Sequence, residues 1–145
     1  MIDNEEKLKI CYDLHTHTTY SHGKGSIFEN AASAKEKGLK GIAITDHGFS
    51  HPAFGMRRKY LDKMRAECAA ASEQYGVDVL LGIESNLRGE EGTIDVKPSD
   101  YEKLDVILAG VHRFALPRFG GRIFSTAFFT KNRRTGSSDS IRIVT

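Results

Sequence analysis

Tyr12-Asp13-Leu14-His15-Thr16-His17-Thr18-Thr19-Tyr20-Ser21-His22-Gly23 begins as an apolar-flanked strand and ends in a glycine-containing loop. Alternate side chains of an extended strand share a face. His15 and His17, two positions apart, therefore point at one spot. Neutral imidazole nitrogens gathered there suit zinc, manganese or iron. His22 sits where the loop can fold back toward the same spot.

The same arrangement recurs downstream. Gly41-Ile42-Ala43-Ile44-Thr45 is an apolar, strand-like run followed at once by Asp46-His47. Val77-Asp78-Val79-Leu80-Leu81-Gly82-Ile83 is a second run, ended by Glu84. Leu104-Asp105-Val106-Ile107-Leu108-Ala109-Gly110-Val111 is a third, ended by His112. From His17 the successive steps are 30, 37 and 28 residues. That length suits a βα repeat, because a crossover to a parallel strand needs a dozen or more residues. In α/β sheets and barrels the C-terminal strand ends form one face, and functional sites collect on it. A single polar residue after a buried strand means little. Four in succession, all with metal-ligand chemistry, point to one site.

Helices fill the gaps. Ser26-Ile27-Phe28-Glu29 has the S-x-x-E form of a capping box. Ala31, Ala32, Ala34 and Leu39 supply an apolar side, and Gly38 fits a helix C-terminus. Tyr60, Leu61, Met64, Cys68, Ala71 and Tyr75 follow helical spacing and read as core contacts, with Gly76 as the stop. Residues 85–97 are polar and glycine-bearing, a hairpin or loop over the site. Pro98-Ser99-Asp100 opens a short helix before the last run.

Taken together, Asp13-Leu14-His15-Thr16-His17, Thr45-Asp46-His47, Gly82-Ile83-Glu84 and Gly110-Val111-His112 resemble, in order, the first four motifs of the PHP (polymerase and histidinol phosphatase) family. Ser21-His22-Gly23 matches as well, although many members carry Asp at the His22 position. The resemblance covers roughly residues 10–119. It implies an α/β fold, a distorted barrel of seven βα units with a bi- or trinuclear metal centre, and metal-dependent phosphoester hydrolysis. By motif position it makes His15, His17, His22, His47, Glu84 and His112 metal ligands, holding divalent transition metals (zinc, manganese or iron).

The chain departs from that pattern beyond His112. Full-length members are longer and carry another His and a late Asp-x-His pair; here no His follows His112 and no Asp-x-His occurs. Residues 113–145 carry seven Lys/Arg and one Asp, net +6, whereas residues 1–112 are net −4, which together give the overall +2. The expectation is a partial barrel of about four βα units over residues 1–119, followed by an atypical, loosely ordered basic tail over 120–145. At 145 residues the chain is long enough for one core but short of a complete (β/α) barrel, which takes about 200 or more. Open strand edges then make self-association an expected property.

Cys11 and Cys68 read as free thiols. The absence of a signal peptide or of an apolar run of membrane length favours a cytoplasmic location without membrane partners. The tail's charge suits nucleic acid, but it contains no recognised nucleic-acid module; the resemblance implies a small phosphorylated metabolite as the partner. Arg113, next to His112, is placed to hold a phosphate oxygen through its planar guanidinium. Arg57, Arg58 and Lys24 are lesser candidates for the same task. Asp46, with Asp13, adjoins histidine ligands and is expected either to orient imidazoles or to cap a strand or helix. His51 reads as a surface histidine. The leading function is hydrolysis of a small phosphomonoester. A PHP-type nuclease or proofreading module, and a catalytically weak metal-binding fragment, are the alternatives.

Overall fold

Gly41-Ile42-Ala43-Ile44 is buried along its whole length and forms the central strand β2 (Gly41–Ile44). A strand covered on both faces reads as a continuous apolar run, the mark of a parallel sheet. β1 (Tyr12–Thr16) pairs with it in parallel on one side and β3 (Asp78–Asn86) on the other. β4 (Val106–Gly110) adds in parallel to β3, so the strands stand in sequence order. β3 changes partner along its length: Asp78–Leu81 pair with β2, and Gly82–Asn86 pair with β4. Such a staggered register is how a sheet curls toward a barrel. The four strands are thus part of a (β/α) barrel. The coordinates are a computed structural model that describes residues 9–88, 92–110, 127–130 and 142–144.

The helices α1 (Ile27–Glu36) and α2 (Leu61–Tyr75) make the first two crossovers. Ser26 and Glu29 form the expected capping box, and Gly38 follows the helix with φ +70°. Gly76 ends α2 in the left-handed conformation. Ile27, Ala31 and Ala34 of α1 meet Leu61, Met64, Cys68 and Ala71 of α2 and the β2 and β3 side chains in one core. Each large apolar side chain buried there contributes about 1.5–3 kcal/mol. Burial pushes the Cys68 thiol up to about 12, which leaves it protonated and inert. Cys11 and Cys68 are both free thiols.

The third crossover carries only a 3-10 turn, Pro98–Lys103. Arg65 of α2 ties this connection down. Its guanidinium bonds Asp105 at 2.5 Å and the Lys103 carbonyl, while Asp105 also accepts the Leu81 N–H at 3.0 Å.

One difference from the sequence reading concerns the site. The run of β3 does not stop at Glu84 but continues through Ser85 and Asn86, both buried. The segment after it folds back, with Arg88 N donating to the Thr93 carbonyl and Leu87 bridging Ile94. This is the expected hairpin, and it delivers Asp95 to the strand end. Beyond β4, the backbones of β5 (Ala127–Thr130) and β6 (Arg142–Val144) extend the sheet antiparallel. The rest of the expected tail, and His112 and Arg113 with it, lie outside the described residues. Among the described residues, no helix is long and apolar enough to cross a membrane.

Candidate metal centre

The C-terminal ends of β1, β2 and β3 bring five of the six expected ligands together. The register of β1 slips by one residue between Asp13 and Thr16. A bulge of this kind re-aims a side chain at a strand end. Asp13 Oδ1 accepts the His15 N–H at 3.1 Å. Asp13 therefore holds the backbone of the strand that carries His15, the capping alternative of its two expected roles. After β1 the chain turns back on itself. Gly23 N donates to the Thr18 carbonyl, and a Cβ at Gly23 would lie 2.5 Å from the His17 carbonyl. Glycine at this point lets His22 reach the cluster, with its ring 4.7 Å from both His17 and His47.

Glu84 is the hub. Its Oε2 stands 2.8 Å from His47 Nδ1, 3.5 Å from His17 Nε2 and 3.6 Å from His15 Nε2. His15 Nε2 and His17 Nε2 are 3.1 Å apart. Two nitrogens each about 2.0–2.1 Å from a tetrahedral ion stand about 3.3 Å from each other. The separations among His15, His17 and Glu84 bracket that value, so the donor set has the spacing of a shared divalent ion. A second set, His17, His22 and His47, also has its donor atoms within 4.8 Å of one another. His17 belongs to both sets.

The electrostatics suit the task. Burial holds the His17 imidazole below its ordinary value against the pull of Glu84, so it stays neutral and able to donate a lone pair. Hydrogen bonding to the Glu84 carboxylate raises His15 above its ordinary value, with burial opposing.

Asp46 is fully buried. Its Oδ1 accepts from Thr18 N at 2.7 Å and from Ser21 Oγ at 2.5 Å, and its Oδ2 accepts from Thr18 Oγ1 at 2.6 Å. Ser21 Oγ in turn lies 3.4 Å from His17 Nδ1. Asp46 thus reaches His17 through Ser21, and its main partners are the loop that positions His17 and His22. Partners behind the ligands commonly govern metal affinity by 10–100-fold. Asp46→Asn removes the buried charge and, with its amide nitrogen at Oδ2, must donate to the Thr18 hydroxyl that now donates to it. It is expected to weaken metal binding about 10-fold while the chain stays folded, as read by metal titration alongside circular dichroism. Unchanged affinity would show that the loop holds without Asp46.

Of the lesser cation candidates, Arg58 is committed elsewhere. Its guanidinium bonds Asp100 at 3.0 Å and the Asp95 carbonyl at 2.7 Å, and lies 3.8 Å over the Phe49 ring. It braces the fold and is not placed as a phosphate ligand. Lys24 and Arg57 are exposed.

Three residues of the site escaped the sequence reading. His51 is not a detached surface residue: its ring stacks on His47 at 4.3 Å and 22°. Phe54 lies 5.4 Å from His22, ring to ring. Asp95 is buried, and its carboxylate accepts five hydrogen bonds, from Ser50 N and Oγ, Ser85 Oγ, and Asn86 N and Nδ2. Gly48 packs against it so closely that a Cβ at this position would lie only 2.7 Å from either Asp95 oxygen. The tight Asp46-His47-Gly48 sequence was the available signal for a constrained loop.

Comparison with known proteins agrees with this geometry. A probable phosphatase of Caldanaerobacter subterraneus subsp. tengcongensis is 39% identical over 107 residues, 73% of this chain and 41% of that protein. A probable phosphatase of Syntrophotalea carbinolica is 38% identical over 109 residues, 73% of this chain and 42% of that protein. The probable phosphatase YcdX of Escherichia fergusonii is 39% identical over 101 residues, 69% of this chain and 40% of that protein. The chain spans about two fifths of the length of these curated relatives. The sequence profile of the PHP domain matches residues 13–137, past residue 119 where the motif resemblance ends. With the motifs in order, their side chains converged at one sheet end and the profile running over most of the sequence, the chain belongs to the PHP domain family.

Proposed function

We propose that this chain carries the N-terminal ligand set of a metal-dependent phosphoesterase that hydrolyses a small phosphomonoester. The observation that carries the reading is the Glu84 hub, one carboxylate oxygen within 3.6 Å of three imidazole nitrogens. The names of the relatives, probable phosphatases, support it. In this reading His15, His17 and Glu84 hold one ion, and His22 and His47 belong to a second, since a neutral imidazole such as His17 gives its single lone pair to one ion; zinc, manganese and iron are the candidates. When bound, such ions neutralise a phosphate and lower the pKa of water toward neutrality.

The chain's own residues then have distinct tasks. Glu84 supplies the negative charge that keeps three imidazoles gathered. The half-buried His17, held below its ordinary value by desolvation, favours the unprotonated form. Asp46 and Thr18 hold the loop between His17 and His22. His112 would add a further ligand and Arg113 a grip on a phosphate oxygen. In support, β4 runs parallel to β3, and Gly110, two residues before His112, pairs with Asn86, two residues after Glu84.

The test is hydrolysis by zinc- or manganese-loaded protein of a phosphomonoester panel and of single-stranded DNA. Metal-dependent release of phosphate from a monoester, lost in Glu84→Ala, is the expected result. Cleavage of DNA alone would replace the reading with a nuclease. A second reading is metal binding without turnover. Stoichiometric metal with no hydrolysis of either substrate class would establish it instead.

A further inference from the structure

We infer that Phe54 makes the site selective for phosphomonoesters whose alcohol part is a planar aromatic or heteroaromatic ring, an inference that rests on the phosphoesterase reading. Three large hydrophobic residues stand exposed among the described residues: Ile10, Tyr12 and Phe54. Ile10 and Tyr12 belong to the entry of β1, at the other end of the strand from the ligands. Phe54, 48% exposed, stands beside the ligands themselves. Its ring centroid is 5.4 Å from His22, 5.6 Å from His51 and 6.3 Å from His47. These are separations at which aromatic rings attract one another, and the ring remains half open to solvent.

The loop that carries Phe54 is built to hold it there. Met56 N donates to the His47 carbonyl at 3.0 Å, His51 N to the Gly48 carbonyl at 3.1 Å, and Gly55 N to the His51 carbonyl at 3.2 Å. Phe54 N itself donates to His51 Nδ1 at 3.0 Å. Ser50 is anchored on the buried Asp95 by two hydrogen bonds of 2.7 Å. An apolar ring held beside a polar, imidazole-lined site leaves about half its surface open. A phosphate seated on the ligand cluster would direct its ester group outward past His22 and His51. A planar ring there meets the open part of Phe54, whereas a polyol would be desolvated against it without gaining a hydrogen bond.

Binding without turnover tests this. Zinc-loaded protein is titrated with phenylphosphonate and with methylphosphonate by calorimetry, for wild type, Phe54→Leu and Phe54→Ala, with zinc content and circular dichroism recorded for each. Wild type is expected to prefer phenylphosphonate, and both variants to reduce the ratio of the two affinities by about 3- to 10-fold, the range of an aromatic pair. Leu retains apolar cover, so its loss of preference isolates the ring. Parallel weakening of both ligands, with the ratio unchanged, would overturn the inference and leave Phe54 a water-excluding cover, with the phosphoesterase reading intact. Failure of wild type to bind either phosphonate would overturn that reading and the inference with it.

Discussion

Glu84→Ala is expected to lower metal affinity by on the order of 100-fold or more, given that losing a mere supporting partner costs 10–100-fold. One oxygen of Glu84 faces His15, His17 and His47 together, and that side chain is the carboxylate of the His15–His17–Glu84 set. Its removal deletes a ligand and the charge that offsets a divalent ion in a poorly solvated place. His17→Ala should be as damaging, because it removes a half-buried imidazole ligand that stands in either donor set. His51→Ala is expected to lose much less. His51 stacks on His47, but its Nδ1 accepts from the Ala53 and Phe54 N–H groups, which keeps that nitrogen off an ion. Elemental analysis of protein purified without chelator, followed by titration of added zinc, measures all three variants. Metal loss in His51→Ala equal to that in His17→Ala would show that the ligand set is drawn wrongly.

The second large effect concerns stability. Asp95→Ala is expected to cost about 3–4 kcal/mol, because it strands several buried donors at once. Two of them, the Ser50 and Asn86 N–H groups, belong to the backbone on either side of the site. Asp95→Asn should cost nearly as much. Both oxygens accept, Oδ1 from Ser85 and Asn86 and Oδ2 from Ser50 and Asn86, so an amide nitrogen in either place would face donors. Burial raises the Asp95 carboxyl, but the hydrogen bonds from Asn86, Ser50 and Ser85 outweigh it and bring the group below its ordinary value. A carboxyl with a depressed folded-state pKa stabilises the fold above its unfolded pKa. That contribution is lost as pH falls through the folded value. Urea unfolding of wild type across the acid range should therefore show a loss that is missing in Asp95→Asn. Parallel pH profiles for the two proteins would remove Asp95 from the account.

These two predictions rest on residues that differ in how visible they are in the sequence. His15, His17, His47 and Glu84 are legible because each follows a short apolar run, and strand periodicity with βα spacing dictates that such positions meet at one sheet end. The helix limits at Ser26, Gly38 and Gly76 are legible for a local reason, since capping and left-handed glycine depend only on neighbours. Asp95 was not legible. It lies in a polar, glycine-bearing segment like any surface loop, and its importance comes from Ser50 and Asn86, 45 and 9 residues away. The same holds for Ser85 and Asn86. Polar residues read as the end of a strand, yet here Asp95 supplies partners that let β3 run on while buried.

Asp46 illustrates the boundary between the two kinds of knowledge. Its place beside His47 marked it for the site, but only the fold shows that its oxygens go to Thr18 and Ser21 rather than to an imidazole. His51 and Phe54 fall on the same side: a loop of hydrogen bonds no pattern announces turns them onto His47 and His22. From the sequence alone came the parallel strand order, the helices between them and the residues able to bind a metal, because periodicity and capping act over a few residues. The tertiary structure alone decided which donors share an oxygen, which carboxylate faces the imidazoles and which braces the loops, and which ring stands beside the site. Those outcomes depend on hydrogen-bond partners and packing between segments tens of residues apart, which no local pattern encodes.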